Sequence, residues 1–176
     1  MQEDQEAVLT IGNVGYLPGA NIVEIILTET PPPDGLTAGV LLVPITSDGG
    51  IVFANDAKKG IALPSGEIAS GRDGISAMER ILIEAIGSKS VEDVRIGHLR
   101  MTSKGPPEAG WDMPHPVAYR DIVACRVAKP RNESISTIVF SSEDVEHLDG
   151  AVGESARHLR KAALEALGQE EQRAAA

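Results

Sequence analysis

The stretch that decides the fold lies at residues 63–87, which read LPSGEIASGRDGISAMERILIEAIG. The glycines in its first half have backbone freedom that residues with a Cβ lack, which is typical of a loop. From Ile75 onward apolar residues recur at helical spacing, and Asp73 stands where a helix N-cap is expected. Gly87 is placed to end the helix in the left-handed conformation. The stretch therefore predicts a glycine-rich loop that runs into a helix.

The predicted helix has an unusually wide apolar surface. At about 100° per residue, its apolar side chains cover well over half of the circumference. We therefore expect it to be covered on more than one side. These apolar residues are Ile75, Ala77, Met78, Ile81, Leu82, Ile83, Ala85 and Ile86.

This loop and helix resemble the Nudix box, the signature of hydrolases that cleave nucleoside diphosphates linked to another group. The family pattern is G-x5-E-x7-R-E-U-x-E-E-x-G-U, in which U is a bulky aliphatic residue. Aligned without a gap, the matching residues are Gly66, Arg80, Leu82, Glu84 and Gly87. Over about residues 38–168, the resemblance implies a Nudix-like α/β/α sandwich with a mixed central sheet.

The same alignment shows departures at the acidic positions. Arg72 stands where the loop glutamate is expected, Ile81 replaces the glutamate after the arginine, and Ala85 replaces the second acid of the Glu-Glu pair. In the family these acids hold Mg²⁺ or Mn²⁺, which activates a water. Here one Arg, one Glu and two aliphatic side chains take the four positions. The resemblance therefore implies a magnesium cofactor, while the residues leave only Glu84 as a weak metal ligand and predict weak or lost hydrolysis.

Composition limits the classes of partner. The net charge of −10 on 176 residues disfavours nucleic acid and anionic membranes, because both bind basic surfaces. The single cysteine, Cys125, lies in an apolar run and is expected to be a buried, inert thiol, which fits a reducing compartment. No run approaches the roughly 20 apolar residues of a membrane span, and the acidic N-terminus is no signal peptide. We expect a cytoplasmic protein.

Three segments are predicted along the chain. Residues 1–35 form an N-terminal strand extension, with strands at 7–11 and 22–30, which adds strands or mediates a dimer. Residues 36–168 form the Nudix-like domain, and 169–176 a disordered tail. Within the domain, the continuous apolar run at 38–46 predicts a strand buried on both faces. Further strands are predicted at 51–54, 94–102, 117–128 and 135–140, and an amphipathic helix at 154–167.

The candidate catalytic pair is Arg80 and Glu84. By its place in the box, Glu84 either retains residual metal binding or simply pairs with Arg80 four residues before it on the helix. Arg80 orients the box carboxylates in the family, and here it has Glu84 alone to orient.

Candidate ligand-binding residues lie in two segments. Arg72 either contacts a phosphate or is a solvated loop arginine, and Glu67 either replaces a lost metal ligand or is exposed. Trp111 either stacks on a base or packs over the sheet edge. The full set of candidates for ligand binding is Gly66, Glu67, Arg72, Trp111 and His115.

Three hypotheses for the function remain open. The first is a Nudix-fold protein with little or no hydrolysis that binds a nucleotide or metabolite or serves as an interaction module. The second is an active pyrophosphohydrolase that uses Glu84 with the non-box acids Glu67, Glu108 or Asp112. The third is a structural homodimer that pairs through the N-terminal strands and the apolar box helix.

Overall fold

The structure is a computed structural model that describes residues 5–57, 60–68, 74–128 and 137–175. The described residues form nine strands and three helices. The strands are β1 Leu9–Gly12, β2 Asn21–Leu27, β3 Thr37–Ile45, β4 Ile51–Asp56, β5 Gly60–Ala62, β6 Ser65–Glu67, β7 Ser90–Ser103, β8 Val117–Val127 and β9 Thr137–Phe140. The helices are α1 Gly74–Ile86, α2 Ser142–Glu146 and α3 Gly150–Ala175.

The described strands join in one mixed sheet, in the order β1-β2-β7-β8-β3-β4-β5. The central pair, β3 and β8, is parallel, whereas the other pairs are antiparallel. Strand β3 is buried along nearly its whole length, as its continuous apolar run predicts, because it lies in the middle of the sheet with helices on both sides. The short strands β6 and β9 pair with β3 and β4, respectively.

Helices cover the two faces of this sheet. On one face, here called the α1 face, α1 packs on inward side chains of β3, β4 and β8. On the other, the α3 face, α2 and α3 cover a larger apolar core. This arrangement confirms the expected Nudix-like α/β/α sandwich with a mixed central sheet. Strands β1 and β2 of the N-terminal segment join the sheet beside β7.

One local expectation differs from the structure. The chain is helical where a disordered tail is expected, since α3 continues through Ala175. An ion pair between Arg126 of β8 and Glu171, at 2.8 Å, ties this part of α3 to the sheet. Helix α1 contacts β3, β4 and β6, and its Ile83 is 48 % exposed. Its apolar surface is therefore wider than the surface that it buries.

Two further expectations concern Cys125 and membrane spans. Cys125 is fully buried. Desolvation is the main cause, and the nearby charge of Asp93 a further cause, of a rise in the pKa of the thiol to about 12. The thiol is therefore protonated at neutral pH, as expected for an inert core cysteine. In the part of the chain that the structure describes, no helix is long and apolar enough to cross a membrane.

Candidate functional site

The loop before α1 is fixed on the central strand of the sheet. In the pairing of β6 with β3, Val40 lies opposite Gly66, and the Leu42 N–H donates to the Pro64 carbonyl at 2.8 Å. Gly39 allows this close approach, because a Cβ at that position would collide with the carbonyl oxygen of Gly66. The position of the loop is therefore set by β3.

The end of α1 is as the sequence predicts. Gly87 has φ of 64°, and its N–H donates to the Ile83 carbonyl at 3.0 Å. A residue with a Cβ would be strained in this left-handed conformation, so glycine is favoured as the residue that ends the helix. The predicted N-cap, Asp73, lies outside the described residues.

A cleft of about 510 Å³ opens between β6 and α1. It is called the box cleft here. It brings together four of the predicted site residues, Gly66, Glu67, Arg80 and Glu84, whereas Arg72 lies outside the described residues. The residues that line the box cleft are Ser65, Gly66, Glu67, Arg80, Ile81, Glu84 and Ala85.

The floor of the box cleft is aliphatic. Ile81 is only 4 % exposed, and it packs so closely under Gly66 that a Cβ on Gly66 would lie 2.8 Å from the Ile81 Cδ1 atom. The neighbouring Leu82 is fully buried in the core of the α1 face. An acidic side chain in the place of Ile81 would have to enter this packed contact. The position where the family has a metal-binding acid is therefore part of the hydrophobic core.

The acids that line the box cleft are Glu67 and Glu84. Glu84 accepts a hydrogen bond from the Arg80 Nη1 atom at 3.1 Å, and both side chains are largely exposed. Magnesium needs several oxygen ligands in near-octahedral geometry. Among the residues that the structure describes, no three acidic, histidine or cysteine side chains come together as a metal site requires. The described donors therefore do not fit a magnesium ion.

Trp111 and His115 lie away from the box cleft. Trp111 packs against the core of the α3 face, and its indole Nε1 is buried without a hydrogen-bond partner among the described atoms. The His115 Nε2 atom is 2.8 Å from the Gly105 carbonyl oxygen, within the same long loop between β7 and β8. Neither residue lines the box cleft, so their roles in ligand binding stay predictions that the geometry does not connect with Glu84.

A second cavity, of about 570 Å³, lies on the α3 face and is called the apolar chamber here. Sequence reasoning missed it because its walls come from distant segments. Ser65 lines both the chamber and the box cleft. The lining residues are Ile11, Val14, Tyr16, Val23, Ile25, Leu41, Phe53, Ile61, Ala62, Leu63, Ser65, Leu99, Arg120, Ala151, Val152, Ser155 and Leu159.

Arg120 is the charged group of this lining. Its Nε atom is buried without a hydrogen-bond partner in the described structure, and its Cζ atom lies 5.7 Å from the centre of the Tyr16 ring. Burial raises the pKa of Tyr16, and the charge of Arg120 offsets part of that rise, so the phenol stays neutral. The sequence carries one signal for this position. Arg120 lies two residues from Ala118 and from Ile122 on the same strand, so it shares a face of the sheet with these two buried residues.

Comparisons with known proteins agree on the fold. No family model matches the chain, and no curated protein matches it in sequence. The Bacillus subtilis pyrophosphohydrolase BsRppH, solved as a mutant, is 14% identical over 85% of this chain and 92% of its own, with a TM-score of 0.58. The NUDIX domain of Shewanella oneidensis NrtR, solved with ADP ribose, is 12% identical over 79% of this chain and 94% of its own, with a TM-score of 0.52.

A third solved structure, an ADP compounds hydrolase, is 14% identical over 93% of this chain and 95% of its own, with a TM-score of 0.50. At such low identities the likeness is one of fold. The chain therefore has the fold of the Nudix superfamily.

Proposed function

We propose that this chain binds a nucleotide-like metabolite at the box cleft and that metal-dependent hydrolysis there is weak or lost. The observation that carries the proposal is Ile81, which packs under Gly66 at a position where the Nudix pattern has a metal-binding glutamate. An isoleucine supplies no oxygen to a cation, and its burial excludes water from the same place.

Electrostatics support binding rather than hydrolysis. Arg80 already pairs with Glu84, the one box acid that remains, and a paired carboxylate is a poor starting point for a cation site. Arg72 in the loop is a cation that the sequence places where an acid is expected, and a guanidinium suits a phosphate. The proposal therefore assigns a phosphate contact to Arg72, and the pairing of Glu84 with Arg80 disfavours a divalent metal.

The class of ligand is drawn from the solved relatives in fold. By their names, BsRppH is a pyrophosphohydrolase, the ADP compounds hydrolase acts on ADP compounds, and the NrtR domain was crystallised with ADP ribose. A nucleoside diphosphate linked to a further group is therefore the class that we propose for this chain. The net charge of −10 also supports a small molecule over a nucleic acid or a membrane surface.

Calorimetry and a turnover assay together test this proposal. ADP ribose and related dinucleotides are titrated into the protein and are also incubated with it in the presence of Mg²⁺ or Mn²⁺. We expect binding without turnover above the protein-free blank, and the same result for Glu84→Gln. Turnover that depends on the metal and falls at least about tenfold in Glu84→Gln would contradict the proposal.

An active hydrolase is the alternative, and one observation favours it: Glu67 and Glu84 line the same cleft. The other acids of this hypothesis, Glu108 and Asp112, are exposed in the long loop before β8 and do not line the cleft. If turnover is found, it should therefore fall in Glu67→Gln but not in Asp112→Asn. Equal loss in both variants would point to a site elsewhere.

We also propose that the protein is a cytoplasmic homodimer. The exposed Ile83 on α1 and the edge position of β1 support an interface, because both leave apolar or hydrogen-bonding groups uncovered. Light scattering at micromolar concentration tests this part, with Ile83→Glu as the disrupting variant. A monomer at that concentration would contradict it without affecting the proposed ligand.

A further inference from the structure

Strand β7 extends beyond its neighbour β2. Strand β8 pairs with it from residue 90, whereas β2 pairs with it over residues 97–103, after which the Thr28 N–H donates to the Ile96 carbonyl at 3.1 Å. Among the described strands, none pairs with residues 90–95 on the β2 side. These residues are called the open edge here. They present backbone N–H and C=O groups on alternate residues, as an edge strand does.

A groove of about 260 Å³ opens beside this edge, where β2 has ended and α3 lies over the sheet. It is called the edge groove here. Val94 and Ile96 of β7 form one side of it, and Ala162 and Ala166 of α3 form the other. The alanine side chains are short, so the groove has room for a small aliphatic side chain of a chain that pairs with β7.

Acidic side chains surround the edge groove. Glu29 and Glu165 line it, Asp93 lies on the open edge, and all three are exposed. Within the described part of the chain, none of these three acids forms a salt bridge. Of the arginines in the lining, Arg95 is held in an ion pair within the sheet, so the three acids outnumber Arg173. The surface is therefore complementary to a cationic partner.

We propose that the open edge and the edge groove bind a basic, extended peptide segment of a partner protein, which adds to β7 as a further strand. The backbone of the peptide pairs with the open edge, an aliphatic side chain enters the groove, and lysine or arginine side chains lie near the three acids. This binding goes beyond the function proposed for the box cleft, because it uses neither Arg80 nor Glu84.

A second copy of this chain is the less favoured occupant. In a two-fold interface the same patch lies on both partners, so Glu29, Asp93 and Glu165 of one copy would face the same acids of the other. Like charges brought together at an interface cost free energy. The homodimer proposed above uses β1 and Ile83, which are other surfaces of the molecule.

Fluorescence polarisation of a labelled peptide with the full chain tests the proposal. The probe is a capped hexapeptide of alternating lysine and valine, and in its control each lysine is replaced by glutamate. We expect the lysine peptide to bind with a dissociation constant below about 1 mM at low salt, and the glutamate peptide to bind at least about tenfold more weakly. Absence of binding at about 1 mM, or equal binding of the two peptides, would overturn the proposal.

N-methylation of the peptide separates strand addition from simple attraction between charges. Methyl groups on alternate backbone nitrogens block the hydrogen bonds along one edge of an extended peptide and leave the other edge intact. One methylated set should lose at least about tenfold in affinity, and the complementary set should stay within about threefold. Bound peptide should also slow hydrogen exchange at alternate amides of residues 91–95. Equal effects of the two methylated sets would rule out pairing with the strand.

Matched charge reversals on α3 locate the site. Glu165→Lys should weaken binding of the lysine peptide by about threefold to tenfold, as expected when a surface charge contact is reversed. Glu154→Lys changes the net charge equally at an exposed position of the same helix outside the groove, and it should leave the affinity within about 1.5-fold.

Equal weakening in Glu165→Lys and Glu154→Lys would contradict the proposal, because the peptide would then respond only to net charge. Protection of residues 91–95 that rises with protein concentration in the absence of peptide would contradict it as well, since a second copy of the chain would then occupy the open edge.

Discussion

The box cleft and the apolar chamber lie on opposite faces of the sheet, beside the same loop at Ser65, and their linings differ. On the α1 face, two of the four positions that hold acids in the Nudix pattern are occupied by Ile81 and Ala85, and Ile81 belongs to the packed core. On the α3 face, an open chamber retains a charge, Arg120, among apolar walls. The comparison teaches that the two cavities beside one loop can differ in their linings while the sheet that supports both keeps the same fold.

On the α1 face, contacts within the chain hold the loop in place. It is held by backbone hydrogen bonds of β6 to β3 and by the contact of Gly66 with Ile81. Replacement of an acid by isoleucine adds apolar burial at that contact. The stability of this segment thus rests on its pairing with the sheet and on apolar packing.

Truncation of the core under α1 should give the largest effect. Leu82 is fully buried, so Leu82→Ala should lower the free energy of unfolding by about 2–5 kcal/mol. Ile83→Ala, on the next residue, should cost no more than about 0.5 kcal/mol because that side chain is 48 % exposed. Urea unfolding of both variants measures the difference, and equal losses would mean that α1 packs on a different face.

Crowding at the β3–β6 contact should give the next largest effect. Gly39→Ala places a Cβ against the Gly66 carbonyl, so the loop must move away from the central strand, at a cost of about 1–3 kcal/mol. Gly15→Ala is the matched control, since nothing lies within 4 Å of a Cβ there. Urea unfolding again gives the comparison. A stability for Gly39→Ala that equals that of Gly15→Ala would show that the loop is not set by β3.

A partly buried polar cluster on β7 and β8, formed by Arg95, His98 and Asp121, contrasts with Arg120. The Arg95 guanidinium donates hydrogen bonds to the Asp121 carboxylate and to the backbone carbonyls of residues 28–30. One of its nitrogens also lies 3.2 Å from the Nδ1 atom of His98, so each of its nitrogens has a partner. Burial first, and then the charge of Arg95, lowers the pKa of His98, although Asp121 opposes this. The native state therefore favours a neutral His98.

The stability of the protein should accordingly fall in mild acid. In the unfolded chain His98 takes up a proton near its ordinary pKa of 6.5, whereas in the folded chain it resists doing so. The free energy of unfolding should be unaffected above that pH and should decrease as the pH falls below it. His98→Gln should flatten this dependence between pH 7.5 and 5.5, and the exposed His158→Gln should not. Identical slopes in the two variants would contradict the assignment to His98.

The pair of Arg80 and Glu84 should give the smallest effect. Both side chains are exposed, at 45% and 64%, so a double-mutant cycle with Arg80→Gln and Glu84→Gln should give a coupling of about 0.3–0.5 kcal/mol. The coupling should decrease in high salt. A coupling of several kcal/mol would mean that the box cleft is more closed than its geometry indicates.

Local patterns predicted much of the fold. The apolar run of β3 and the left-handed Gly87 were predicted because each is set by neighbours in sequence. The extent of α3 was not predicted, because the polar residues after Leu167 are held in the helix partly by the distant Arg126. The apolar chamber was missed for the same reason, since non-local packing forms its walls.

Titration of the protein with Mn²⁺ by calorimetry tests the central claim most directly, which is that the box cleft no longer holds a divalent cation. We predict that the wild-type chain binds Mn²⁺ no more tightly than about 1 mM, as a lone exposed carboxylate would, and that Glu84→Gln behaves identically. Binding of one Mn²⁺ in the micromolar range that is abolished in Glu84→Gln would contradict the claim.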